Sequence, residues 1–309
     1  ILVHRVDLAD AYAAGHTLFD KKSGSPLAFD QALQGLTPNE RKQNYMLVHE
    51  ASGTAAVDAL ALHAAQSRGQ GTCRSFYVDS ERDMDTVMAW LADHLVPGLQ
   101  TGAGFDIATT TGGLSNPSSL TITQRDGVEF RSVLNVIWKE RDPKVARGRA
   151  RRLIEACRAL DAPVRRLAID ASNERYFAEE TRSDFSDLVP VALVISGSRV
   201  EPPPPGYDEA PVNYKTWLGD LYSGQINDNR FTLPPESYLK KDHRSVVKDR
   251  GTYHAELEAD GGHGDTFDSG KLSLFALISN DGQGFFIPQA HSGRATAAMA
   301  MRRNRTVIA

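Results

Sequence analysis

The spacing of apolar residues changes character near residue 100. Upstream, apolar positions recur every three or four residues in "VDLADAYAAGH", "TPNERKQNYMLVHEA", "TAAVDALALHAAQS" and "SERDMDTVMAWLADHLVPG", which predicts helices. In the last of these Ser80 is placed to cap, acids fill the first turn, and Pro97-Gly98 stop the helix. Downstream the period shortens. "AGFDIATT" reads as a buried strand, "SLTITQRD" alternates, and Asp126-Gly127 turns the chain into "VEFRSVLNVIW". These three runs predict an antiparallel meander. A long basic helix ("DPKVARGRARRLIEACRALD"), a strand ("VRRLAIDAS"), a helix ("SNERYFAEETRS") and a strand ("PVALVISG") come next. Past the proline-rich loop "EPPPPGYDEAP" the pattern gives a helix ("VNYKTWLGDLYSGQ") and a short strand ("NRFTLP"). A helix ("PESYLKKDHRSVV"), a strand ("TYHAELEA") and a closing helix ("DTFDSGKLSLFALIS") complete it.

Meander, helix, strand, helix, strand and closing helix form the order of an α/β domain. The expected fold is a ribonuclease H-like mixed sheet flanked by helices, preceded by a helical N-terminal segment. The expected division is a helical segment over 1–98, the α/β domain over 99–284, and a flexible basic tail over 285–309. Composition narrows the class without naming a partner. Of 309 residues, 41% are apolar and 24% charged, as in ordinary globular proteins. A net charge of -4 does not announce a nucleic-acid binder, so local basic stretches must carry that case. Cys73 and Cys157 stand far apart with no CxxC spacing, which suits a reducing cytoplasm and provides no zinc knuckle. No apolar run approaches the roughly 18 residues of a membrane span. The start at Ile1 has no signal-peptide layout and reads as a cut inside a longer protein.

The candidate chemistry lies in acids at the ends of elements. Asp106 is on the first strand of the meander, and Asp170 ends "LAID" on the strand expected beside it. Asp265 opens the closing helix, with Asp268 one turn later on the same face. Clustered carboxylates repel one another unless cations intervene, so such a set suits two Mg²⁺ or Mn²⁺ ions held by hard oxygens. Taken singly, each acid is more ordinary as a turn or helix cap, and it is their joint placement in the element order that favours chemistry. Asp265 and Asp268 compete for the third place, with Asp265 favoured. His263 beside them is more ordinary as a loop histidine than as a ligand.

Four segments carry a family resemblance: "GFDIATTTGGLSNPSSLTI", "RLAIDASNERYFAEE", "NYKTWLGDLYSGQINDNRFTLP" and "GTYHAELEADGGHGDTFDSGKLSLFAL". Together they resemble the nuclease domain of large terminase subunits, the DNA-packaging motors of tailed phages, with "HGD" closest to the Mu-type branch. The resemblance covers roughly residues 100–280, and more faintly the helical segment before it, which is similar to the family's linker from its ATPase domain. It implies a two-metal endonuclease that cleaves double-stranded viral DNA in the host cytoplasm, with Asp106, Asp170 and Asp265 as catalytic metal ligands and Asp268 as a further one. It also implies a portal protein and a small terminase subunit as partners, and ATP only through a domain outside this chain. Two departures stand out. "ASNER" replaces the usual glycine-containing turn after the second acid, and Ser269 rather than alanine follows Asp268.

Basic stretches divide into "KVARGRARR" (144–152) with Arg165 and Arg166, and "YLKKDHRSVVKDR" (238–250). Phosphate contact is expected of Lys240, Lys241 and Arg244, and less of the 144–152 helix. "GDTFDSGK" fails as a nucleotide phosphate loop, because five residues separate Gly264 from Gly270 and Leu272 replaces the hydroxyl residue. Two rival readings remain. "DIATTTGG" is similar to the first phosphate loop of actin-like and sugar kinases, though no second glycine loop follows. A non-catalytic structural module of a packaging motor would use the acids as caps. Junction resolvases and transposases share the metal core but suit the helical preface less well.

Overall fold

The computed structural model describes residues 8–20, 23–33, 54–108, 117–140, 142–201, 204, 211–249, 251–256 and 264–278. The helix expected over "TPNERKQNYMLVHEA", the threonine–glycine run after Ala108, His263 and the C-terminal tail lie outside them. Two short helices, α1 (Leu8–Ala13) and α2 (Phe29–Ala32), come first. β1 (Thr54–Ala55) precedes α3 (Ala59–Gly69), whose first turn is capped by Asp58 accepting from Leu60 N and Ala61 N. β2 (Arg74–Tyr77) leads to α4 (Glu81–His94), where Ser80 and Asp83 close a reciprocal capping box.

The meander is β3 (Gln100–Asp106), β4 (Ser118–Asp126) and β5 (Glu129–Trp138), antiparallel as expected. Gly127, at φ +59°, supplies the left-handed backbone of the β4–β5 turn. Then follow α5 (Pro143–Ala159), β6 (Val164–Asp170), α6 (Arg175–Asp184), β7 (Val191–Val194), α7 (Tyr214–Asn227), β8 (Phe231–Thr232) and α8 (Ser237–Ser245). A hairpin of β9 (Val246–Asp249) and β10 (Thr252–Ala255) precedes the closing helix α9 (Asp265–Ile278).

Seven strands form one mixed sheet in the order β2-β5-β4-β3-β6-β7, with β8 also paired to β5. β6 runs parallel to β3, β7 to β6, and β2 to β5. This is the ribonuclease H-like sheet expected from the element order, extended at one edge by β2 and β8. β1, β9 and β10 make a small antiparallel sheet of their own. The boundary expected at residue 98 falls inside the packed unit. β2, from a segment read as helical, hydrogen-bonds to β5, and α4 buries Met84, Val87 and Leu91 in the core.

Alternation along the strands sends successive side chains to opposite faces. One face is apolar: Ala103, Phe105, Leu120, Ile122, Leu134 and Val136 pack with residues of α4, α5 and α6. The opposite face lies under α9 and is built differently. One cross-strand row there reads Ser75, Asn135, Thr121, Gly104, Ala168 and Ala192. Gly104 is required by close approach, since a Cβ would stand 2.1 Å from the Ser269 carbonyl oxygen and 2.2 Å from Ser273 N. The hydroxyls are buried but satisfied. Ser119 and Thr121 each lie 2.8 Å from Ser269 Oγ, Thr123 lies 2.7 Å from Ser273 Oγ, and Asn135 donates to Ser119 and Thr121. The alternation of "SLTITQRD" therefore does not mark a solvated face. Its polar side is paired with serines of α9, so burial carries little desolvation penalty.

Candidate active site

The carboxyl ends of the parallel strands determine where the acids meet. β3 and β6 run side by side, with Phe105 level with Ile169, so the next residues, Asp106 and Asp170, end neighbouring strands. The glycines of β3 admit α9 against the sheet, and the first turn of that helix brings Asp265 and Asp268 over the same strand ends. All four line one cleft of about 250 Å³, together with Ile107, Ala108, Ser172, Asn173, Glu174, Ser196 and Lys215. The four expected acids are thus gathered from three elements distant in sequence.

Each acid has a distinct setting. Asp170 is held by the loops around it: Oδ1 accepts from Ser172 N at 2.8 Å and Oδ2 from Ser196 Oγ at 2.8 Å. Ser196 N in turn donates to Ser172 Oγ, so "ASNER" closes its turn with side-chain oxygens rather than with a glycine. Asp265 is 3% exposed. Asp268 is more open, and its Oδ1 accepts from Lys271 Nζ at 2.5 Å. Asp106 is held in a setting that disfavours its charge. Burial first, then the carboxylates of Asp268, Asp265 and Asp170, push its carboxyl well above the usual carboxylate range, with Lys271 pulling the other way.

Lys271 was not anticipated. It is only 2% exposed, and burial disfavours its charge. Asp268, Asp170 and Asp106 outweigh that effect and raise its pKa, so it is an ammonium beneath the acids. The donor set fits a hard divalent cation: carboxylate oxygens from several directions with too little positive charge to balance them. Among the described residues no three His, Cys, Asp or Glu side chains already form a group able to close on an ion.

Solved structures similar to this chain include large terminase nucleases from several phages. The large terminase nuclease of thermophilic phage G20c matches with a TM-score of 0.44 and 14% identity over 58% of this chain and 83% of its own. The HK97 bacteriophage large terminase gives 0.43 and 12%, covering 87% of this chain and 59% of its own. A mutant nuclease domain of the large terminase subunit of bacterial virus Sf6, solved with manganese and beta-thujaplicinol, gives 0.46 and 10%, over 74% and 100%. At these scores the likenesses carry no weight for what the cleft does. No family model matches the chain, and no curated protein is significantly similar to it in sequence.

The basic residues separate in a way that the sequence did not reveal. Arg147 pairs with Glu180 and Asp184, Arg149 with Glu140, Arg151 with Glu155 and Asp187, and Arg152 with Glu81 and Asp85. The "KVARGRARR" run is thus largely neutralised within the helical layer on the apolar face, away from the cleft. Arg165 donates to the Leu277 carbonyl at the C-terminal end of α9, and Arg166 is buried. On α8, Lys241 is exposed, Lys240 and Arg244 are half-buried, and none of the three lines the cleft. Lys215, at the start of α7, does line it.

Asp242 and His243 were also missed, hidden inside "KKDHR". Leu239, Asp242, His243 and Val246 are all buried at helical spacing. A polar pair on an otherwise apolar stripe was the available signal.

Proposed function

We propose that this chain is a divalent-metal-dependent nuclease that hydrolyses phosphodiester bonds of double-stranded viral DNA during genome packaging, the role of a large terminase nuclease. The observation that carries the reading is the convergence of Asp106, Asp170, Asp265 and Asp268 on one cleft, where burial and the other three carboxylates disfavour charge on Asp106. Asp106 and Asp170 are the main ligands, with Asp265 completing the set and Asp268 as a further donor. Mg²⁺ or Mn²⁺, two ions in the full reading, would supply an activated water and a counter-charge for the leaving oxygen.

The chain's own residues do the remaining work. Ser172 N and Ser196 Oγ hold the Asp170 carboxylate in one orientation, which fixes a donor before any ligand arrives. Lys271 lowers the cost of keeping the acids ionised together. Lys215 on the wall of the cleft attracts the DNA phosphate, and Lys240, Lys241 and Arg244 add backbone contacts farther out. In this reading residues 99–284 are the nuclease with 54–98 packed into it, 285–309 a basic tail, and ATP belongs to a separate motor domain. A portal protein and a small terminase subunit are the partners, in the host cytoplasm.

The decisive experiment is a plasmid assay with Mn²⁺ or Mg²⁺ and an EDTA control. Supercoiled DNA should become nicked and then linear only with metal. Asp106→Ala and Asp170→Ala should each lower the rate by more than about 100-fold, the loss already reached when outer-shell partners of a metal are removed. Cutting that survives either substitution would sink the proposal.

A further inference from the structure

Two of the acids ride on the first turn of α9, yet the groups that hold that turn belong to another helix. Asp242 of α8 is fully buried. Its Oδ1 accepts from Gly264 N at 2.7 Å, and its Oδ2 accepts from Thr266 N at 2.7 Å and from the Thr266 hydroxyl. These amides open α9 and flank Asp265 on either side. Helix N-termini leave such amides without intrahelical acceptors, and the acceptor is usually a neighbouring side chain in the same segment. Here it comes from 22 and 24 residues upstream. Asp265, which the sequence offered as its own N-cap, is left to line the cleft.

The surroundings make this an exacting contact. Asp242 is buried on a helix whose Leu239, with the following Val246, joins Tyr222 and Phe267 in one apolar cluster. A carboxylate there is costly unless every lone pair is used. Its neighbour His243 reinforces the same joint: Nδ1 lies 3.0 Å from the Leu239 carbonyl and Nε2 3.0 Å from Tyr222 Oη. Tyr222 packs edge-on against Phe267 at 5.1 Å, and its hydroxyl stands where a Cβ on Gly270 would meet it at 2.3 Å. The rotation of α9 about its axis is therefore set from α8 and α7, as well as by the sheet.

We infer that Asp242 is a positioning residue for the acid cleft: through Gly264 and Thr266 it sets where the carboxylates of Asp265 and Asp268 stand. The inference rests on the metal-binding reading of the cleft for its functional consequence, and on hydrogen bonds alone for its structural one. A carboxylate presents an acceptor to each of the two amides. Asparagine replaces one of those acceptors with an N–H that faces another N–H, so Asp242→Asn removes half of the clamp with almost no change in volume.

The test uses the full chain and Mn²⁺ alone as the probe. Free Mn²⁺ is measured by electron paramagnetic resonance well below each variant's melting temperature, beside hydrogen exchange of residues 264–268 in EDTA. Asp242→Asn is expected to weaken Mn²⁺ binding at least tenfold and to speed exchange at Gly264 and Thr266. Plasmid cutting should return at raised Mn²⁺, a change in metal requirement rather than in maximal rate. Thr266→Ala, which keeps both amides but removes the hydroxyl donor, should move both readouts in the same direction by a smaller factor. It serves as the test if the asparagine variant does not fold. Mn²⁺ affinity within twofold of the unmodified protein would overturn the inference even if the melting temperature drops, because a purely structural role changes stability alone. Unchanged exchange at Gly264 and Thr266 would overturn it regardless of metal. Exchange that accelerates while the unmodified protein binds no Mn²⁺ would retain the clamp and overturn the metal reading instead.

Discussion

The two faces of the central sheet are packed by opposite rules. Toward α4, α5 and α6 the strands present Phe105, Leu120, Ile122 and Val136, and large apolar side chains fill the gap. Toward α9 they present glycine, alanine, serine, threonine and asparagine, and the helix backbone comes close enough for hydroxyls to pair. The first face gains stability from buried apolar area. The second gives up some of that area for nearness, and nearness is what places Asp265 and Asp268 over the ends of β3 and β6. The charged residues divide likewise. Arginines and acids outside the apolar face neutralise one another, whereas the acids at the α9 face outnumber the lysines beside them.

The sharpest way to break this contrast is to add volume on the tight face. Gly104→Val puts its Cβ against the backbone of Ser269 and Ser273, which cannot swing aside. It should cost about 3 kcal/mol or more, at the top of the range for overpacking. Ala103→Gly on the opposite face should cost only about 1 kcal/mol. Urea midpoints of the two variants make the comparison, and equal losses would remove the distinction between the faces.

A second probe is pH. Burial lowers the pKa of His243 to about 4, against an ordinary value of 6.5, while the Leu239 carbonyl and Asp268 favour its charged form. Below about 6.5 the unfolded chain takes up a proton that the folded chain refuses until about pH 4. Stability should therefore fall as pH drops through that window, by a total on the order of 3 kcal/mol at about 1.4 kcal/mol per unit. Urea unfolding at pH 7, 6 and 5 would show it, and His243→Gln should flatten this part of the slope. A slope unaltered by that substitution would mean that carboxylates alone set the acid sensitivity.

Smaller effects sharpen the picture further. Asn135→Ala leaves the Ser75 hydroxyl, which donates to Asn135 Oδ1 at 2.8 Å, without this acceptor, and removes one partner each from Ser119 and Thr121, which keep Ser269. A loss of about 2 kcal/mol is expected from breaking these three hydrogen bonds of the polar network. Arg152→Ala removes only exposed pairs with Glu81 and Asp85 and should change stability by less than about 1 kcal/mol. If the arginine mattered more than the asparagine, the ionic shell and not the polar ladder would be the stronger device.

Much of the fold was legible because its signals are local. Short apolar runs marked β3, β5, β6 and β7, alternation marked β4, Ser80 and Pro97 bracketed α4, and Asp126-Gly127 marked the hairpin turn. β2 escaped because "RSFY" is a four-residue strand without clean alternation, and it pairs with residues some sixty positions away. The polar row of β4 was legible as a pattern but not in meaning, since Ser269 and Ser273 lie about 150 residues downstream. Asp106, Asp170, Asp265 and Asp268 were picked out by their places at element ends, and the fold brings all four to one cleft. Lys271 read as an ordinary helix residue, and Asp242 was obscured by the lysines and arginine around it.

By itself the sequence determined the periodicities, the caps and turns, and the acids that end or open elements, because each depends on a few neighbouring residues. Only the tertiary structure decided which charges are neutralised, that the hydroxyls of β4 are buried, and that the start of α9 is clamped by a carboxylate from α8. Those outcomes depend on which surfaces are brought within hydrogen-bonding reach. That reach is a property of packed helices and strands, and no local pattern encodes it.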